Sequence, residues 1–195
     1  ATNSPVYRDF VLSYLDERVT PAGDIPTFET TSYNIDNINC GKALFFALDE
    51  TGQARYRRAA GFVRERLRFH PRCRCGSFWH KEIYPEQIWL DGLYMAQPFY
   101  LEYEKRFNGL GNLADIEKQF ENVVHFMYNQ KKELFYHGYD ESRKQPWSDP
   151  QTGCSPNFWL RSMGWYIMAL ADCAAIVNGA DAQAYGRFTQ RLRIA

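Results

Sequence analysis

Seven stretches with apolar residues at helical spacing follow one another along this chain, and the connections between them alternate long and short. The first runs from about Pro5 to Val19, with Val11, Tyr14, Leu15 and Val19 on one face, before Pro21, Gly23 and Pro26 break up residues 20–35. The second spans Asp36 to Asp49 and is stopped at once by Glu50-Thr51-Gly52. A third follows directly, with Tyr56, Ala59, Ala60, Val63 and Leu67 facing inward. Another long connection, 70–85, leads into a fourth helix that contains Asp91 and ends near Phe107. The short link 108–112 precedes the fifth, striped by Ile116, Phe120, Val123 and Met127. A third long segment, 131–155, leads to a sixth helix expected to begin at Pro156 with Ser155 as its N-cap. It ends near Val177, and a seventh runs almost to the last residue. No strand is expected.

If successive helices run antiparallel, all three long connections fall at one end. The second, fourth and sixth helices are the more apolar set and point their N-termini at that end. The first, third and fifth carry more charge and read as an outer layer. The pattern predicts an all-α double ring of helical hairpins, an α/α toroid, as a single domain over residues 1–195. Function belongs at the end where the long loops gather.

The fourth helix, expected to take in Tyr84 to Phe99, is apolar nearly all round, with Asp91 as the exception. Ile88, Tyr94, Met95 and Phe99 share its stripe. A lone acid in such company is costly unless paired or used, which marks it as a functional candidate.

Composition narrows the partners. Lys+Arg and Asp+Glu are each 23, so no global field draws in nucleic acid or an anionic membrane. No run reads as a membrane-spanning helix. The N-terminus lacks the charged-then-apolar pattern of a signal peptide, so the expectation is a cytoplasmic protein, or a periplasmic one whose signal has been removed. The five cysteines, at 40, 73, 75, 154 and 173, are odd in number and scattered, which argues against a disulfide framework. Cys73 and Cys75, with His70 and His80 nearby, lack zinc-ligand spacing, and no metal is expected. Aromatic residues make up 16% of the chain, which suits either a ring-lined cleft or an aromatic core.

At the long-loop end the topology gathers Asp36, His80, Asp91, His137 and Arg161, with Trp89 and Trp159 beside them. Each except Asp91 has an ordinary alternative. Asp36 could simply cap its helix, the two histidines could be solvated, the tryptophans could be core, and Arg161 could pair with Asp172 or Glu133. Together, cations, histidines and helix N-termini favour a carboxylate ligand, and aromatic platforms favour sugar faces.

Several motifs carry a family resemblance: Ile35-Asp-Asn-Ile-Asn-Cys-Gly41, the run from Gly76 through His80, Trp89 and Asp91 to Ala96, Tyr136-His137-Gly-Tyr-Asp140, and Trp147-Ser-Asp149 through Trp159-Leu-Arg161 to Trp165. They resemble the unsaturated glucuronyl and rhamnogalacturonyl hydrolases of glycoside hydrolase families 88 and 105, closer to 105, over about residues 30–175. The resemblance implies an (α/α)₆ barrel and hydration of the C4=C5 double bond of a terminal Δ4,5-unsaturated uronic acid. Asp91 matches the acid that protonates C4 and activates water toward C5, with Asp36 as the second important carboxylate. His80, His137, Arg161, Trp89 and Trp159 match positions that contact substrate, and no cofactor is implied. A six-hairpin barrel has twelve helices, so seven imply an incomplete fragment with exposed inner faces and a tendency to self-associate. An ordinary acid/base glycosidase and a non-catalytic sugar-binding fragment are the rival readings. Burial and Asp36 are expected to raise the Asp91 pKa, while Arg161 and the helix N-terminus oppose them.

Overall fold

A computed structural model describes residues 4–195. Its helices are α1 (Pro5–Asp16), α2 (Gly41–Thr51), α3 (Ala54–Arg68), α4 (Leu90–Phe107), α5 (Leu113–Met127), α6 (Leu160–Val177) and α7 (Ala182–Leu192). A 3₁₀ turn, Ile35–Cys40, leads into α2. Sequence cues set several boundaries. Gly52 takes the left-handed conformation (φ +65°) and donates its N–H to Leu48 O, ending α2. The Asp181 carboxylate accepts the Ala184 N–H and starts α7.

Four short strands depart from the all-helical expectation: β1 (Gln87–Trp89), β2 (Tyr128–Asn129), β3 (Leu134–Phe135) and β4 (Gly138–Asp140). β1 pairs antiparallel with β4, setting Trp89 opposite Gly138, and β2 pairs with β3. Residues 84–89 are therefore not helical. Glu86 sits at φ +60°, which breaks any helix through Pro85, and the extended Trp89 instead flanks the start of α4. α6 likewise begins at Leu160 and not at Pro156. Ser155 and His137 donate backbone N–H groups to Gly138 O and Asn157 O, holding 155–157 beside β4, and the Ser155 hydroxyl donates to Asn157 O in place of capping a helix. Asp36 opens the 3₁₀ turn, where its own N–H is accepted by Asn34 Oδ1.

α4 is the hub, packing against α2, α3, α5 and α6, and α6 packs in turn on α7. The core runs through Leu44, Phe99, Leu101, Phe120, Tyr166 and Phe188, all almost fully buried. Pro98 stands inside α4 and has no N–H to offer Tyr94 O four residues back. Lys42 of α2 fills that role. Its Nζ donates to Tyr94 O at 3.0 Å and lies 3.3 Å from the Tyr94 ring centroid. Burial pushes the Lys42 pKa down to about 8. On α1, Leu15 and the nearby Val19 are buried, whereas Val6, Tyr7, Phe10 and Tyr14 are exposed. α6 exposes Leu160, Ile167 and Met168. Among the described residues, α6 alone is apolar enough by length and mean hydropathy (1.3) to cross a membrane, contrary to the sequence expectation; one side of it packs on α4 and α7.

The three long connections do meet at one end. Asn34 pairs with Lys81, the Glu82 N–H reaches Tyr33 O, and the Arg74 N–H reaches the Glu141 carboxylate.

Candidate active site

β1 and β4 aim two of the candidate residues. Trp89 closes β1 just before α4, and the Leu90 N–H is donated to His137 O, so the first turn of α4 is tied to the third long connection. Asp91, in that turn, is 7% exposed. Arg161, in the first turn of α6, donates Nε to Asp91 Oδ1 at 3.0 Å, and His137 Nε2 lies 3.5 Å from Oδ2. The ordinary alternatives for Arg161, Asp172 or Glu133, are thus not its partner. Burial pushes the Asp91 carboxyl up, but the adjacent His137 ring and Arg161 charge outweigh it, and its pKa lies below the ordinary aspartate value. Of the opposing influences expected from the sequence, burial does raise it, but Arg161, joined by His137, decides the direction.

His80 stands between the two acids. Its Nε2 is 3.6 Å from Asp36 Oδ1, and its ring feels the charge of both Asp36 and Asp91. Burial dominates and pushes its pKa down to about 4, so it is neutral at physiological pH. The ring stacks on Trp89 at 4.7 Å and 9°, and Tyr84 covers the other side of Trp89 at 5.3 Å and 9°. Gly92 makes room for it: a Cβ there would lie 3.0 Å from His80 Nδ1 and 3.3 Å from Ile35 Cγ2. Asp36 is more open and also accepts an ion pair from Lys81 Nζ at 3.0 Å.

His137 is flanked by Trp89 and Trp159, each 5.3 Å away and tilted. Trp159 is 49% exposed and lies 4.8 Å under the Arg161 guanidinium. All seven predicted residues therefore fall in one neighbourhood, with Asp91, His137 and Arg161 in direct contact and Asp36 linked through His80. Sequence reasoning passed over Lys81, although it adjoins His80, and Lys42, which no local sequence signal marks. One turn deeper than Asp91, Tyr94 meets Trp165 at 4.6 Å.

Chemically, the cluster offers one buried carboxylate, a half-exposed guanidinium (52%) with an open side, and neutral imidazole. An anionic sugar suits it. Of the cysteines and histidines near 70–80, His70 Nε2 contacts Trp79 O at 2.8 Å, and Cys73 and Cys75 are free thiols. Among the described residues no group of three or more His, Cys, Asp or Glu is disposed to hold a metal.

The sequence profile described as Glycosyl Hydrolase Family 88 matches residues 1–192. A solved structure of a family 105 glycoside hydrolase from C. acetobutylicum ATCC 824 superposes with a TM-score of 0.92 at 40% identity, covering 98% of this chain and 53% of that one. Unsaturated rhamnogalacturonyl hydrolase YesR of Bacillus subtilis (strain 168) is 24% identical over 184 residues, 91% of this chain and 49% of that protein. Unsaturated glucuronyl hydrolase from Bacillus sp. GL1 shares the fold, with a TM-score of 0.69 at 14% identity over 98% of this chain and 55% of that one. The chain spans about half the length of these relatives. The α/α class expected from the alternating connections agrees with these neighbours.

Proposed function

The chain belongs to Glycosyl Hydrolase Family 88, and from that premise we propose that its site hydrates the C4=C5 bond of a terminal Δ4,5-unsaturated uronic acid in oligosaccharides left by polysaccharide lyases. The observation that carries the reading is the buried carboxylate of the cluster, Asp91, held between Arg161 and His137. Ordinary glycosidases oppose two carboxyl groups across the scissile bond. Here the second, Asp36, is engaged by Lys81 and His80.

In this reading the uronate carboxylate docks on the open side of the Arg161 guanidinium. Its negative charge offsets Arg161, so the depressed Asp91 pKa rises and the acid takes up a proton. Asp91 gives that proton to C4, leaving positive charge shared by C5 and the ring oxygen. A water molecule adds to C5 as the Asp91 carboxylate removes its proton, restoring the acid. The product, a hemiketal at C5, opens to a ketone, and the neighbouring sugar departs with its glycosidic oxygen. Neutral His80 and Asp36 orient the ring hydroxyls, and Trp89 and Trp159 pack on its faces.

The experiment is loss of the ultraviolet absorbance of the conjugated enol carboxylate. The reading requires turnover of unsaturated uronyl disaccharides, none of their saturated counterparts, and a drop of about 10²–10⁴-fold for Asp91→Asn. Cleavage of the saturated sugar, or full turnover by Asp91→Asn, contradicts it.

A further inference from the structure

His80 is held at every point but one. Its backbone N–H is donated to Gln87 O at 2.8 Å, its carbonyl accepts the Ile35 N–H at 3.0 Å, and its ring lies flat on Trp89. Nε2 faces Asp36 Oδ1 at 3.6 Å. Nδ1 is different: the residue is 4% exposed, and no protein group pairs with that atom. A second unpaired atom stands on the hub helix α4, where Gln97 is 1% exposed and its Oε1 is buried without a partner. Native proteins leave few such atoms unpaired.

His80 and Gln97 line one small cavity together with Ser77 and Gly92, and its room for the centre of a water molecule is about 10 Å³. One water needs roughly 10–15 Å³ of such room, so a single molecule fits and a sugar does not. Gly92 keeps the approach to the ring clear, since a Cβ there would lie 3.0 Å from His80 Nδ1.

The charge on Asp36 decides which ring nitrogen carries the proton. A neutral imidazole has one N–H and one lone pair. A lone pair aimed at a carboxylate is repelled, so the N–H belongs on Nε2 and the lone pair on Nδ1. Nδ1 and Gln97 Oε1 are then two acceptors on one cavity, unable to pair with each other. A water molecule has two donors and satisfies both.

We propose that this cavity binds one ordered water, donating to His80 Nδ1 and to Gln97 Oε1, and that Gln97 acts through it as a positioning residue for His80. The functional half of this rests on the uronyl hydrolase reading, in which His80 orients sugar hydroxyls. Stacking on Trp89 cannot by itself aim the ring: a half-turn about its axis keeps the stack and puts carbon where each nitrogen stood. The water opposes that turn and keeps the Nε2–H on the side of Asp36 and the sugar.

Nitrogen-15 NMR of the imidazoles in the folded protein at neutral pH tests the site, with His80→Gln identifying the resonances. The expected spectrum shows His80 protonated on Nε2, with Nδ1 shifted as a hydrogen-bonded imine nitrogen. Gln97→Leu moves Nδ1 to the position of an unbonded imine, and Gln97→Glu, which keeps an acceptor oxygen, does not. On an unsaturated uronyl disaccharide Gln97→Leu lowers kcat/KM about threefold to tenfold, mostly through KM, and Gln97→Glu recovers most of the loss. A proton on Nδ1, an unbonded Nδ1 in the unaltered protein, or an Nδ1 unmoved by Gln97→Leu overturns the inference and leaves the uronyl reading intact. Equal losses from Gln97→Leu and Gln97→Glu also overturn it, since they mark Gln97 as packing alone. The spectrum of the unaltered protein decides the water even if Gln97→Leu does not fold. Absence of turnover by the unaltered protein overturns the uronyl reading and the role of Gln97 in it, while the nitrogen shifts still judge the water.

Discussion

At the scale of single residues, Asp91 is held as an anion by the groups that ready it for an acidic ligand. Its depressed pKa makes a definite contribution to stability against pH. A carboxyl whose folded value lies below the unfolded one, about 3.9, stabilises the fold above that value and loses the contribution as pH falls through the folded value. Carboxyl-carbon NMR of the free protein should show Asp91 titrating below an ordinary aspartate, and Arg161→Gln should move it upward. An unmoved titration would show that Arg161 does not set the charge. Gly92 is the second residue on which the site turns. Gly92→Ala drives a methyl toward His80 Nδ1 and Ile35, and should cost about 1–3 kcal/mol and displace His80 from its stack on Trp89. Thermal denaturation with the His80 ring shifts checks this, and an unchanged stack and melting point would contradict it. Much of this level was legible beforehand. A single acid on an apolar helix is conspicuous, and the family motifs marked its companions. Lys42 was not legible, because its place depends on a carbonyl left free by Pro98 on another helix.

Among the elements, α4 organises the molecule, and its C-terminal end is secured as firmly as its start. Glu104 is buried, accepts Arg64 Nε at 2.9 Å, and collects Asn108 Nδ2 at 2.5 Å and Asn112 Nδ2 at 2.9 Å. One carboxylate thus joins α3, α4 and the turn into α5. Burial pushes it up, but its amide and guanidinium partners outweigh that and hold its pKa below the usual glutamate value. Glu104→Gln should destabilise by about 3–5 kcal/mol, since it leaves Arg64 without its counter-charge. Urea denaturation measures the loss, and a change under about 0.5 kcal/mol, ordinary for a surface substitution, would contradict it. Helix identity was readable along most of the chain because each helix spans several turns of a strong period. The strands were not, being two or three residues long, too short for alternation to register, and fixed by pairings between distant loops such as Trp89 with Gly138. The late start of α6 has the same origin: the hydrogen bonds to β4 override the N-terminal signal of Ser155-Pro156.

Across the whole molecule, the alternation of long and short connections did most to locate function. It placed the long connections at one end, and there the structure brings Asp36, His80, Asp91, His137 and Arg161 together over intervals of up to 125 residues of sequence. What the alternation could not supply was the inward face of every helix. α1 and α6 keep apolar stripes exposed, at Val6, Tyr7 and Phe10 and at Leu160, Ile167 and Met168, which periodicity alone assigns to an interior. The central claim is that water is added at C5 by one carboxylate, and not at the anomeric carbon by two. Turnover of an unsaturated uronyl disaccharide in oxygen-18 water, quenched early with borohydride, reads this directly by mass spectrometry. The account predicts the heavy oxygen on C5 of the released uronate, with none on C1. Label on C1 would contradict it.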